Sequence, residues 1–163
     1  MKTKKLTVMA LTTALAMILS FVESQIPAFV AVPGVKMGLA NIAVVFALYK
    51  LGWKEAVGVS LIRVVLVSIL FGTVASLFYS LAGAVLSLLG MGLLKKTGRF
   101  TEIVVSVAGG VLHNIGQIAM ACILLETDAL KYYLPFLLVS GILAGVVIGV
   151  VSAILVRRIN LKM

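Results

Sequence analysis

Three groups of polar residues interrupt an otherwise apolar chain, and the chemistry they offer is the binding of an anion. The first is Pro33-Gly34-Val35-Lys36-Met37-Gly38-Leu39-Ala40-Asn41. Pro33 and Gly34 break the preceding segment, so the first free N–H groups of the next helix, the positive end of its dipole and the Lys36 ammonium fall together. Such a grouping suits an anion; alternatively, Lys36 snorkels from a helix end to water and binds nothing. The second is Arg63. Counted from Lys54 at about 1.5 Å per residue, it lies about 13 Å along its helix, where a guanidinium needs a partner or a hydrated cavity. A ligand contact meets that need, and so does an ion pair with Glu23. The third is Gly109-Gly110-Val111-Leu112-His113-Asn114-Ile115-Gly116-Gln117. His113 and Gln117 share a helix face at i,i+4 with Asn114 one step around, an arrangement that either lines a pocket or ties helices together by hydrogen bonds. Asn41, one turn into its helix, joins either role.

The elements that carry these residues are membrane helices. Of the 163 residues 63% are hydrophobic and only 12% charged, and several runs approach the roughly 20 apolar residues that span a bilayer. The spacing of apolar runs and breaks predicts an all-α protein of six transmembrane helices, at about 6–22, 36–50, 54–71, 74–94, 101–125 and 135–156, forming one integral membrane domain over 1–163. The first run resembles a secretory signal peptide, but its only A-x-A pattern, Ala14-Leu15-Ala16, lies inside the run instead of after it. The segment from Ser24 to Val35, with Pro27 and Pro33, reads as an external loop.

Charge supplies the orientation. Lys2, Lys4, Lys5, Lys50, Lys54, Lys95, Lys96, Arg99, Arg157, Arg158 and Lys162 fall on one side of this layout, leaving Lys36 and Lys131 on the other. By the positive-inside rule both termini are cytoplasmic and Lys36 faces outward, in a multi-pass protein of a prokaryotic plasma membrane. The net charge of +9 is thereby a topology signal, and no nucleic-acid partner is expected.

Several function classes drop out. The single cysteine, Cys122, excludes an internal disulfide framework, no Cys/His spacing suits zinc, and no P-loop or other cofactor motif is present. There is one aspartate, Asp128, and Glu23, Glu55, Glu102 and Glu126 are scattered singly, so no carboxylate pair at a useful spacing exists. Diphosphate chemistry on Mg²⁺ needs several oxygen ligands and a neutralised leaving group, so no catalytic residue is expected here.

Small residues speak to packing. Ala10 and Ala14 make an A-x-x-x-A face near the cytoplasmic end of the first helix, where a partner surface is possible, and Gly141, Gly145, Gly149 and Ala153 make a longer ladder in the sixth, read as internal packing. Together with the P-G-x-K-x-G-L-A-N stretch and the H-N-x-G-Q of His113 to Gln117, the size and the six spans resemble the Gx transporter family. That family is similar to the substrate-binding S components of energy-coupling factor (ECF) importers, and its members are often labelled heptaprenyl diphosphate synthase component I.

The resemblance implies that Ala10 and Ala14 dock on a transmembrane T component with two ATPases beneath it, and that the Ser24–Val35 loop closes a pocket opening outward. Lys36, Asn41, Arg63, His113, Asn114 and Gln117 are then the substrate-binding set. Positive groups favour phosphate or diphosphate. The only tryptophan, Trp53, lies on the cytoplasmic side, which disfavours a large planar ligand, whereas an apolar bundle accepts an aliphatic tail. The expectation is an ECF S component that captures a small anion, such as an isoprenoid phosphate, amid membrane lipid. The alternatives are a non-catalytic membrane accessory subunit of a heptaprenyl diphosphate synthase, a different small anion, or no ligand at all.

Overall fold

The computed structural model describes residues 2–25 and 38–161. Lys36 and most of the expected external loop lie outside the described residues. The long Leu-, Val- and Ala-rich runs are helices because a segment in hydrocarbon must satisfy every backbone N–H and C=O within itself. In chain order these are α1 (Lys2–Gln25), α2 (Asn41–Lys50), α3 (Trp53–Phe71), α4 (Val74–Thr97), α5 (Glu102–Leu124), a 3-10 turn (Ala129–Tyr133) and α6 (Leu134–Arg158).

Helix ends follow local chemistry. Thr73 and Ser76 form a capping box at the start of α4, with Ser76 N–H donating to Thr73 Oγ1 at 3.1 Å and Thr73 N–H to Ser76 Oγ at 2.8 Å. Gly98, left-handed at φ 67°, ends the same helix. Two expected boundaries change. α1 continues through Lys2–Lys5 and Glu23–Gln25, because apolarity marks the buried part of a helix and not its ends. The expected helix at 36–50 is, in the described residues, only the ten-residue α2, since Gly38 at φ +82° turns the backbone out of helical geometry just before it.

Ten residues rise about 15 Å, half of a hydrocarbon core of about 30 Å. Among the described residues four helical segments are long and apolar enough to cross a membrane, those of α1, α4, α5 and α6 with its preceding turn. α3 has 19 residues but carries Lys54, Glu55 and Arg63. Leucines, isoleucines and valines such as Leu11, Ile69, Leu93, Ile123 and Val147 face outward, while Ser20, Ser60, Ser87, Asn114 and Ser152 are buried. That inversion of a water-soluble protein's pattern suits a lipid surround.

The half-helix α2 is the centre of the bundle. Its Ala43, Val44, Val45, Ala47 and Leu48 are buried, and it packs between α1, α3 and α6. α4, α5 and α6 form the other half, with backbones drawn together by glycine. A Cβ on Gly116 would lie 2.7 Å from the Ala82 carbonyl oxygen, and one on Gly110 2.7 Å from that of Gly141. The Gly141–Gly145–Gly149 ladder lies against α5, the internal packing its spacing suggested.

Basic residues gather at one end of this bundle. Lys5 Nζ lies 2.5 Å from Glu55 Oε1, joining α1 to α3, and Arg157 Nη2 lies 3.9 Å from Glu102 Oε2, joining α6 to α5. Lys95 donates to the Leu48 carbonyl in the last turn of α2, its ammonium 5.1 Å from the Tyr49 ring centroid. A lysine there meets a helix C-terminal carbonyl and the negative end of the dipole. Lys95→Met should lower stability by about 1–2 kcal/mol, the usual loss for a charge-assisted hydrogen bond, measured as a lower melting temperature in detergent; an unchanged value would mean that water serves Leu48 equally well.

Candidate anion site

Arg63 is the charge that the apolar surroundings make costly, and the fold surrounds it with polar groups from three elements. It points into the interior with 9% of its surface exposed. Its Nη1 donates to Ser20 Oγ of α1 at 3.5 Å, a long and weak bond. One turn on, Glu23 lies within Coulombic reach of the guanidinium and is itself 6% exposed. Arg63 Nε is buried with no hydrogen-bond partner among the described residues.

The third element is the turn into α2. The backbone N–H of Gly38 donates to Glu23 Oε1. Gly38 CO in turn accepts from Asn41 N–H at 2.8 Å, which starts the helix. Gly38 cannot be replaced freely: its φ of +82° is left-handed, and a Cβ would meet Asn41 Nδ2 at 3.3 Å. Asn41 therefore lies beside the turn that contacts Glu23. The turn that starts α2 thus contacts, through the Gly38 N–H, the same carboxylate that lies within Coulombic reach of the buried guanidinium. The N-terminal ends of interrupted helices serve anionic groups in membrane proteins.

The polar residues of α5 form a separate set. The His113 imidazole packs on Gly83 of α4, where a Cβ would lie 2.9 Å from its Nδ1. Asn114 is buried and turns to α6, its Nδ2 donating to the Leu137 carbonyl at 2.6 Å, so it ties two helices together. Gln117 is buried on the same helix. Among the described residues α3 shares no extended packed face with α5. Of the two roles left open for the α5 polar groups, Asn114 has the tying one.

Glu23, the ion-pair partner considered for Arg63, is present in its cluster, together with the Gly38 N–H of the stretch singled out in the sequence and with Ser20, an acceptor that sequence reasoning missed. Ser20 could have been found, since it stands three residues before Glu23 on the same face of α1. The Gly38 N–H had no side-chain signal. Ala10 and Ala14 are exposed on the outer face of α1 beside Leu11, Leu15 and Ile18. A family model described as heptaprenyl diphosphate synthase component I matches residues 12–155. No curated protein and no solved structure matches the chain.

Proposed function

The chain belongs to the heptaprenyl diphosphate synthase component I family, and on that premise we propose that it is the non-catalytic membrane subunit of a polyprenyl diphosphate synthase, holding an anionic prenyl diphosphate while a partner subunit makes the bonds. The observation that carries this reading is Arg63, an interior cation whose neighbouring carboxylate, Glu23, also accepts from the Gly38 N–H at the turn into α2. Its guanidinium and the Gly38 N–H are the donors a phosphate uses, and the apolar helices around them accept a prenyl tail.

The division of labour follows from the carboxylates. Glu55 is held by Lys5, Glu102 lies near Arg157, Asp128 Oδ1 lies 2.5 Å from Lys131 Nζ, and Glu23 is on the Gly38 turn. These four carboxylates stand on separate elements, with the exposed Glu126 near Asp128 as the one close neighbour, whereas a Mg²⁺-bound diphosphate needs several oxygens converging. The bond-making centre therefore belongs to the partner, which the family description points to as the second component of the synthase.

The test is purification from native membranes with mild detergent. This reading expects a soluble prenyltransferase to copurify and its product length or rate to change when the membrane chain is removed. Absence of a prenyltransferase, with no effect on its products, would overturn it.

A second reading has its own support. Ala10 and Ala14 face outward from the bundle, and the Arg63 cluster lies toward the end of α1 remote from the Lys5–Glu55 contact. With the basic end cytoplasmic, as the positive-inside rule orients it, that cluster opens toward the outside. An S component of an ECF importer would use both features, the alanines to dock on a T component and the cluster to capture the anion. Copurification of a T component and two ATPases would favour this reading. Either way the chain is a binding subunit in the cell membrane.

A further inference from the structure

We infer that Glu23 is a built-in competitor for the ligand at Arg63: its carboxylate occupies, in the empty protein, donors that a phosphate takes on binding. This deepens the proposed function and rests on Arg63 being the anion site. Glu23 accepts from the Gly38 N–H at the positive end of α2 and lies within Coulombic reach of Arg63. The guanidinium is not saturated by its neighbours, since its bond to Ser20 is long at 3.5 Å and its buried Nε has no partner among the described residues.

An interior guanidinium without a counter-ion is expensive in a bilayer, so a resident carboxylate stabilises the empty state. A carboxylate brings one charge and two oxygens; a diphosphate brings more of both and can replace it. Glu23 stands two residues before the end of α1 at Gln25, so the displaced carboxylate moves within the last turn of that helix. A free monocarboxylate gains nothing over the resident one. Glu23 thereby makes the site selective for multiply charged phosphates.

The experiment is equilibrium binding of geranyl diphosphate and of geranic acid to the whole chain in lipid nanodiscs, for wild type, Glu23→Gln and Arg63→Met. Glu23→Gln should bind geranyl diphosphate about tenfold more tightly, the worth of one charge-assisted hydrogen bond returned to the ligand. Geranic acid should gain at least as much, narrowing the gap between the two. If wild type binds, Arg63→Met does not, and Glu23→Gln binds no better or widens the gap, the competitor role falls while the Arg63 site stands. If folded wild type and Glu23→Gln both fail to bind geranyl diphosphate, the Arg63 site falls and the inference with it. Should Glu23→Gln not fold, Glu23→Asp, whose carboxylate is drawn one methylene back from Gly38, should give a smaller gain in affinity; an unchanged affinity overturns the proposal.

Discussion

Arg63→Met should abolish the proposed prenyl diphosphate binding and destabilise the protein, and restoring the stability should not restore the binding. Truncating one member of a buried, hydrogen-bonded charge pair costs about 2–5 kcal/mol, which for a ligand is roughly 30-fold to several thousand-fold in Kd. The stability loss has a separate origin. Glu23 keeps the Gly38 N–H but loses the guanidinium within its Coulombic reach, and removing one member of a buried charge pair costs about 3–5 kcal/mol. The double variant Arg63→Met/Glu23→Gln removes both charges, and replacing a buried pair by neutral groups of similar size is often close to neutral for stability. Its melting temperature should return near that of wild type, with geranyl diphosphate still unbound. Binding by the double variant would make Arg63 a purely structural cation.

Gly145→Val should be the most damaging single change outside the site. A Cβ at Gly145 would lie 2.6 Å from Val107 Cα and 3.2 Å from the Ser106 carbonyl oxygen, contacts with the α5 backbone that no side-chain rotation relieves. α5 and α6 would have to separate, pulling Asn114 away from the Leu137 carbonyl. Overpacking of a close crossing costs about 1–3 kcal/mol, with a buried amide left unsatisfied adding about as much again. The expected outcome is little or no monodisperse protein after detergent extraction. Val147→Leu, on a residue that is 62% exposed on the same helix, should behave as wild type. Equal yields of the two variants would show that this crossing is loose.

What the sequence revealed and what it withheld divide along a physical line. Lipid makes apolar length decisive, so α3 to α6 could be read closely from runs and breaks, with Gly72-Thr73 and Gly98 as stops. The half-length of α2 could not. Its run of apolar residues continues smoothly from Leu39, and only the φ of +82° at Gly38 makes the turn. Arg63 was legible as a lone charge in an apolar helix, since its cost there demands a reason. Its surroundings were less so: Glu23 was one of two candidate partners, Ser20 is an ordinary serine in sequence, and the Gly38 N–H is backbone. For His113, Asn114 and Gln117 the shared helix and close spacing suggested either one pocket or ties between helices. On a helix packed between α4 and α6, neighbours in sequence serve different partners, and Asn114 turns to Leu137 while His113 lies on Gly83.

The claim on which the rest depends is that this bundle holds an anionic ligand at Arg63. Native mass spectrometry of the protein extracted gently from its own membranes, wild type beside Arg63→Met, tests it most directly. A discrete phosphate-bearing adduct on wild type that is lost in Arg63→Met is the predicted result, and its mass identifies the ligand class. The same adduct retained by Arg63→Met, or a wild type that stays empty when geranyl diphosphate is supplied, would contradict the account and leave Arg63 a structural cation paired within the fold.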